Sequence, residues 1–91
     1  MKIVVLGSGS FAGHTIYFHL IRKGHQVLGI NRSAIKSCHE WPSLTDLRHN
    51  ASWLCANILD DCQSIIYAIK SFQPEIILDF MGQGMVSQRW S

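Results

Sequence analysis

Two spacings of hydrophobic positions alternate along the chain. Ile3-Val4-Val5-Leu6 is an unbroken, β-branched-rich run that stops at Gly7, the pattern of a strand covered on both faces. From Ser10 to Lys23 the spacing changes to three and four. Phe11, Ala12, Ile16, Leu20 and Ile21 gather on one side of a helix, Arg22 and Lys23 fall in its last turn, and Gly24 takes the position just past its end. Gln26 to Ile30 then predicts a second strand, and this order predicts a parallel pair with a right-handed crossover.

Residues 31 to 50 lose this periodicity to Ser, His and Arg around the Trp41-Pro42 pair, with Ser43 placed to cap a short turn through Leu47. Ser52 to Ala56 predicts a third, less regular strand. Asp60 and Gln63 have capping-box spacing, so a second helix is expected to start there; it carries Ile65, Ile66, Ile69 and Phe72, with Lys70 near its end and Pro74 blocking continuation. Glu75 to Phe80 predicts a fourth strand.

Composition narrows the class. A chain of 91 residues is one domain at most, since domains usually run to about 100–150 residues, and no second, substrate-binding domain is expected. With 47% hydrophobic and only 15% charged residues the sequence is that of a folding chain, and a formal charge of +2 without a basic run speaks against a nucleic-acid binder. The first apolar run is too short for a signal peptide or a membrane span, and Cys38, Cys55 and Cys62 are odd in number and lack Cys-x-x-Cys spacing. Reduced thiols, no metal site and a cytoplasmic location are the expectation.

The segment Gly7-Ser8-Gly9-Ser10-Phe11-Ala12-Gly13 lies between the first strand and the first helix, where glycines have specific work in a dinucleotide fold. Gly7 permits a tight turn, Gly9 a close approach of backbone to a pyrophosphate, and Ala12 or Gly13 close packing of helix on strand; the helix N-terminus offers N–H donors to the phosphates. No Gly-Lys-Ser/Thr follows, which excludes a P-loop. At the end of the second strand an acidic residue would read a ribose 2′-hydroxyl, whereas an Arg accommodates a 2′-phosphate. Here stand Asn31, Arg32 and Ser33, a set without a carboxylate, which favours NADP over NAD.

Taken together, Gly7-x-x-Ser10-x-x-Gly13, Asn57-Ile58-Leu59-Asp60 and Ile77-Leu78-Asp79-Phe80-Met81-Gly82-Gln83 resemble the amino-terminal half of extended short-chain dehydrogenase/reductases, within them the nucleotide-sugar epimerases and dehydratases. The resemblance implies an α/β, three-layer Rossmann-like fold with a parallel sheet of about four strands, truncated relative to the family, so that residues 1–91 are the N-terminal part of an NAD(P)-binding domain. It implies that Ser10, Phe11 and Ala12 meet the pyrophosphate, Asn57 and Ile58 the adenine, and Phe80, Met81 and Gly82 the ribose side of the cofactor. Ser10 stands where the family usually has glycine, Asn57 where it has Asp, and Met81-Gly82 where it has Ala-Ala.

The family's chemistry uses a Tyr-x-x-x-Lys pair. Tyr17 is followed four residues later by Ile21 and Tyr67 by Ser71, so that pair is absent and no catalytic residue is assigned. Two function classes remain. One is the cofactor-binding portion of a nucleotide-sugar epimerase, dehydratase or reductase, inactive alone and meeting a nucleotide sugar only with further chain. The other is a free-standing nucleotide-sensing module. In the first case Glu75 to Phe80 is expected to be an open apolar edge that drives self-association.

Overall fold

The computed structural model describes residues 1–35, 49–57 and 59–81, together with the backbone of residues 86–89. Its elements are β1 (Lys2–Leu6), α1 (Phe11–Arg22), β2 (Gln26–Asn31), β3 (Ala51–Cys55), α2 (Cys62–Phe72), β4 (Ile76–Asp79) and β5 (Val86–Arg89). The expected turn from Ser43 to Leu47 lies outside the described residues. The strands form one sheet in the order β3-β2-β1-β4-β5. β1, β2, β3 and β4 run parallel, with Val4 opposite Leu28 on one side and Ile77 on the other.

The double-sided run in β1 has its explanation in the layers. Ile3 and Val5 pack with Tyr17, Phe18 and Ile21 of α1, whereas Val4 packs with Leu28, Ile30 and Ile77 against Ile65 and Ile69 of α2. The two helices therefore cover opposite faces, and strands buried between them carry apolar side chains in both directions. Full burial of side chains this size contributes about 1.5–3 kcal/mol each, which makes these two clusters the main source of stability.

Helix ends follow local chemistry. Ser10 caps α1, its hydroxyl accepting from the Gly13 N–H at 3.0 Å, and the helix stops at Lys23 with Gly24 at φ 92°. The capping box expected of Asp60 and Gln63 does not form. Asp61 occupies the N-cap of α2 without a side-chain cap bond, because its carboxylate accepts from the Asn57 N–H at 2.8 Å and holds the preceding loop instead. At the other end Gln73 takes a left-handed φ of 54° immediately before Pro74, and its N–H still reaches the Ile69 carbonyl at 3.0 Å.

The expected parallel sheet of about four strands is present as β1 to β4, and β5 adds an antiparallel strand to it, with Ile76 opposite Arg89 and Asp79 opposite Val86. Residues 80–85 connect the two strands, and a parallel return would need a crossover of about a dozen residues or more. A reversal is the available path. Consequently β4 is not the open edge that was to drive self-association: among the described residues the outer strands of the sheet are β3 and β5. Among the described residues no helix is long and apolar enough to cross a membrane.

Tyr17 ties α1 to the sheet edge. It is buried, it donates its hydroxyl to the Ser52 carbonyl of β3 at 2.9 Å, and burial pushes its phenol well above the ordinary tyrosine range. The unfolded chain loses that proton near pH 10 while the folded chain retains it, so stability is expected to fall as pH rises past about 10. Tyr17→Phe should cost about 1 kcal/mol at neutral pH and flatten the alkaline decline, read from urea melts between pH 8 and 11.

Candidate functional site

The loop between β1 and α1 is closed by its own hydrogen bonds. The Gly7 N–H donates to the Ile30 carbonyl at 2.8 Å, and the Ser10 N–H and hydroxyl both donate to the Gly7 carbonyl, at 3.0 and 2.8 Å. Gly7 has φ 77°, and a Cβ there would lie 2.8 Å from Met81 Cγ, so glycine is required by both backbone and space. Gly13 is as constrained, because a Cβ on it would run into the Gly7 carbonyl and sit 2.8 Å from the Ser10 hydroxyl. Ser10, in contrast, has an extended conformation open to any residue (φ −70°, ψ 164°). The serine at a glycine position thus supplies the cap, and the cap takes the Gly13 N–H while the Phe11 and Ala12 N–H groups remain at the helix start.

Beside this loop, at the carboxyl ends of the parallel strands, lies a cleft of about 470 Å³. Gly7, Gly9 and Ser10 form one wall. Asn31, Arg32 and Ser33 at the end of β2 form the next, Asn57 after β3 the third, and Phe80 and Met81 after β4 close it. An open α/β sheet binds ligands in this position, where the strand order reverses about β1. No carboxylate lines the cleft among the described residues. Asn31 is half-buried and its amide occupies the space over Gly9, where a Cβ would collide with it; Arg32 and Ser33 are exposed.

Asn57 has a fixed orientation. Its Oδ1 accepts from the Leu59 N–H at 2.9 Å in a turn, and its own N–H is held by Asp61, so the face of the amide bearing Nδ2 is the one not taken up by the turn. Met81 is held similarly, its N–H donating to Asp79 Oδ1 at 2.8 Å.

Other residues singled out in the sequence stand apart from the cleft wall. Phe11, 95% exposed, and Ala12 sit on the outside of the first helical turn, and Gly13 lies buried beneath the loop. Ile58 and Gly82 lie outside the described residues. Leu6, Ile30, Ala56, Leu59 and Ile65 also line the cleft and were not anticipated. The rule that ligands sit beyond strand ends points to Leu6, Ile30 and Ala56, whereas Leu59 and Ile65 carry no such signal. Neither tyrosine approaches the cleft: Tyr17 is buried against β3 and Tyr67 is 75% exposed on α2.

No protein-family model and no curated protein matches the sequence. Solved structures do match the fold. Among them are the Bordetella bronchiseptica enzyme WbmG in complex with NAD, at TM-score 0.70 and 20% identity over 92% of this chain and 26% of that one, and UDP-glucose 4-epimerase from Thermotoga maritima with UDP-glucose, at TM-score 0.67 and 21% identity over 92% and 25%. A third is dTDP-glucose 4,6-dehydratase from Bacillus anthracis in complex with NAD, at TM-score 0.70 and 14% identity over 91% and 27%. The chain has a Rossmann-like fold. This Rossmann-like chain spans about a quarter of the length of the enzymes it resembles. Its glycine loop, β2 end and cleft are the parts of the fold described above, with the antiparallel β5 at the far edge of the sheet.

Proposed function

We propose that the chain binds an NAD(P) dinucleotide in the cleft beyond β1, β2 and β3, as the cofactor-binding portion of a nucleotide-sugar epimerase, dehydratase or reductase. The observation that carries this reading is the convergence of Gly7, Gly9 and Ser10 with Asn31, Arg32, Ser33 and Asn57 on one cleft, where no described residue contributes a carboxylate. The glycine loop and the Phe11 and Ala12 N–H groups at the start of α1 suit a pyrophosphate. The Nδ2 of Asn57 suits an acceptor on the base, with Ile58 as its neighbour, and Phe80, Met81 and Gly82 suit the ribose side. The proposed role is binding alone, since neither Tyr17 nor Tyr67 is placed for proton transfer and a nucleotide sugar needs further chain.

NADP is the preferred cofactor in this proposal. The 2′-hydroxyl of NAD asks for an acceptor, and Asn31, Arg32 and Ser33 offer mainly donors. NADPH is expected to bind about ten- to a hundredfold more tightly than NADH, and Arg32→Ala to remove most of the difference. Calorimetric titration of the 91-residue chain with both cofactors is the check, and equal affinities in the parent would contradict the preference.

A second reading, a free-standing nucleotide-sensing module, draws support from β5, which covers β4 within the chain itself. The exposed thiols of Cys55 and Cys62, both free, suit the reducing cytoplasm.

A further inference from the structure

Among the described residues, β3 is the one parallel strand with a neighbour on a single side. Two bonds at its ends fix which backbone groups face that neighbour: the Val27 N–H donates to the Asn50 carbonyl at 3.0 Å, and the Ala56 N–H to the Asn31 carbonyl at 2.9 Å. With Gly29 opposite Trp53 between them, the alternation of a parallel ladder turns the N–H and C=O of Ser52 and Leu54 towards β2 and those of Ala51, Trp53 and Cys55 outwards. Among the described residues none of these outward groups has a hydrogen-bond partner. The strand also lacks the usual guards of such an edge. Ala51-Ser52-Trp53-Leu54-Cys55 holds no charge and no proline, and Trp53 and Leu54, which pack on opposite faces, are only half-buried.

The outward pattern is complementary to itself. When Trp53 faces its own counterpart on an antiparallel strand, Ala51 falls opposite Cys55, and every outward donor meets an outward acceptor. On the other face Ser52 falls opposite Leu54, small against large, and no like charges meet because the strand carries none. We infer that β3 pairs with β3 of a second copy in this register, about a two-fold axis at Trp53, so that one continuous sheet runs through both copies. The same patch serves both partners, so the assembly closes at two. Both half-buried side chains are further withdrawn from water, Trp53 beside its counterpart on the α1 face and Leu54 beside Ser52 on the α2 face. Pairing of β3 with the outer side of β5 would instead be head-to-tail and would give open chains of copies. The inference is independent of the dinucleotide reading.

Sedimentation equilibrium of the 91-residue chain under reducing conditions is expected to show monomer and dimer in exchange between micromolar and millimolar protein. Ala51→Pro removes an outward N–H at the first residue of an edge strand, where proline leaves the ladder with β2 intact, and should weaken the dimer about tenfold or more. Ala51→Cys tests the register. Residues directly opposite in a hydrogen-bonded antiparallel pair have Cα atoms about 5.5 Å apart, the usual span of a disulfide, so mild oxidation should join the introduced thiol to Cys55 of the second copy. Within one copy the two positions lie roughly 13 Å apart along the extended strand, too far to link. A parent that stays monomeric throughout, masses that climb past two copies, or a dimer that Ala51→Pro leaves unchanged would each overturn the inference, and so would oxidised Ala51→Cys without a link to position 55. Should Ala51→Pro melt below the temperature of the measurement, the cross-link decides alone.

Discussion

Gly13→Val is expected to unfold the chain or leave it barely folded. A Cβ at this position meets the Gly7 carbonyl, a backbone atom already fixed by the Ser10 N–H and hydroxyl, and it approaches the Ser10 Oγ that caps α1. The first is backbone, and the second is a short side chain already held by its bonds to the Gly7 carbonyl and the Gly13 N–H. Relief would require α1 to move off β1, which would open the cluster of Ile3, Val5, Tyr17, Phe18 and Ile21. Overpacking alone costs about 1–3 kcal/mol, and the added loss of the cap and of core contacts should bring the total to about 4 kcal/mol or more. Small domains have a total stability of about 5–15 kcal/mol, so the variant should melt far below the parent in urea. A parental melt would show that the close approach of loop and helix is not needed.

Gly9→Val is expected to act on binding and largely spare the fold. Gly9 has no positive φ, so valine is sterically foreign there only through what it touches, and what it touches is the Asn31 amide. That side chain is half-buried at the cleft wall and can swing away, at the cost of entering the space between the glycine loop and the Arg32-Ser33 turn. The added methyl groups also block the approach of backbone to a pyrophosphate. Dinucleotide affinity should drop about a hundredfold or more, with a urea midpoint close to the parental one. Parental affinity in this variant would mean that the loop is not a phosphate cradle.

The contrast between the two glycines shows how far the sequence could be read. The spacing Gly7-x-Gly9-x-x-x-Gly13 after an apolar strand announces a tight loop, and the structure supplies one, with Gly24 ending α1 where its position suggested. The sequence motif does not reveal that Gly9 makes room for Asn31, because that contact joins the loop to the end of a strand 22 residues later. The α2 start shows a different failure. Asp60 and Gln63 have the right spacing for a cap, yet Asp61 is drawn to the Asn57 N–H, a local competition that spacing alone cannot rank. β5 was unreadable for a third reason: Val86–Arg89 is a four-residue strand whose residues show neither a strand nor a helix period, and its pairing with β4 is set by the short connection.

The bond from the Trp53 indole N–H to the Ser33 carbonyl, at 3.0 Å, was equally hidden. In sequence Trp53 is one position of the third strand, and its ring packs edge-on to Tyr17 at 5.2 Å. Only the parallel register, which places Trp53 opposite Gly29 and Cys55 opposite Asn31, brings the indole to the turn after β2. Gly29 has a part in this as well. A Cβ there would lie 2.8 Å from both the Ser8 hydroxyl and Tyr17, so the bare backbone of β2 lets α1 and β3 share one aromatic layer.

The central claim is that the carboxyl ends of the parallel strands form a dinucleotide site, and residue-resolved NMR of the labelled chain titrated with NADPH addresses it most directly. The account predicts saturable shifts of the backbone amides of Gly7, Gly9, Phe11 and Ala12, of Arg32 and Ser33, and of Asn57 and Met81, with Lys2, His25 and Glu75 at the opposite end of the sheet unmoved. Shifts confined to that opposite end, or no saturable shift at all at millimolar cofactor, would contradict it.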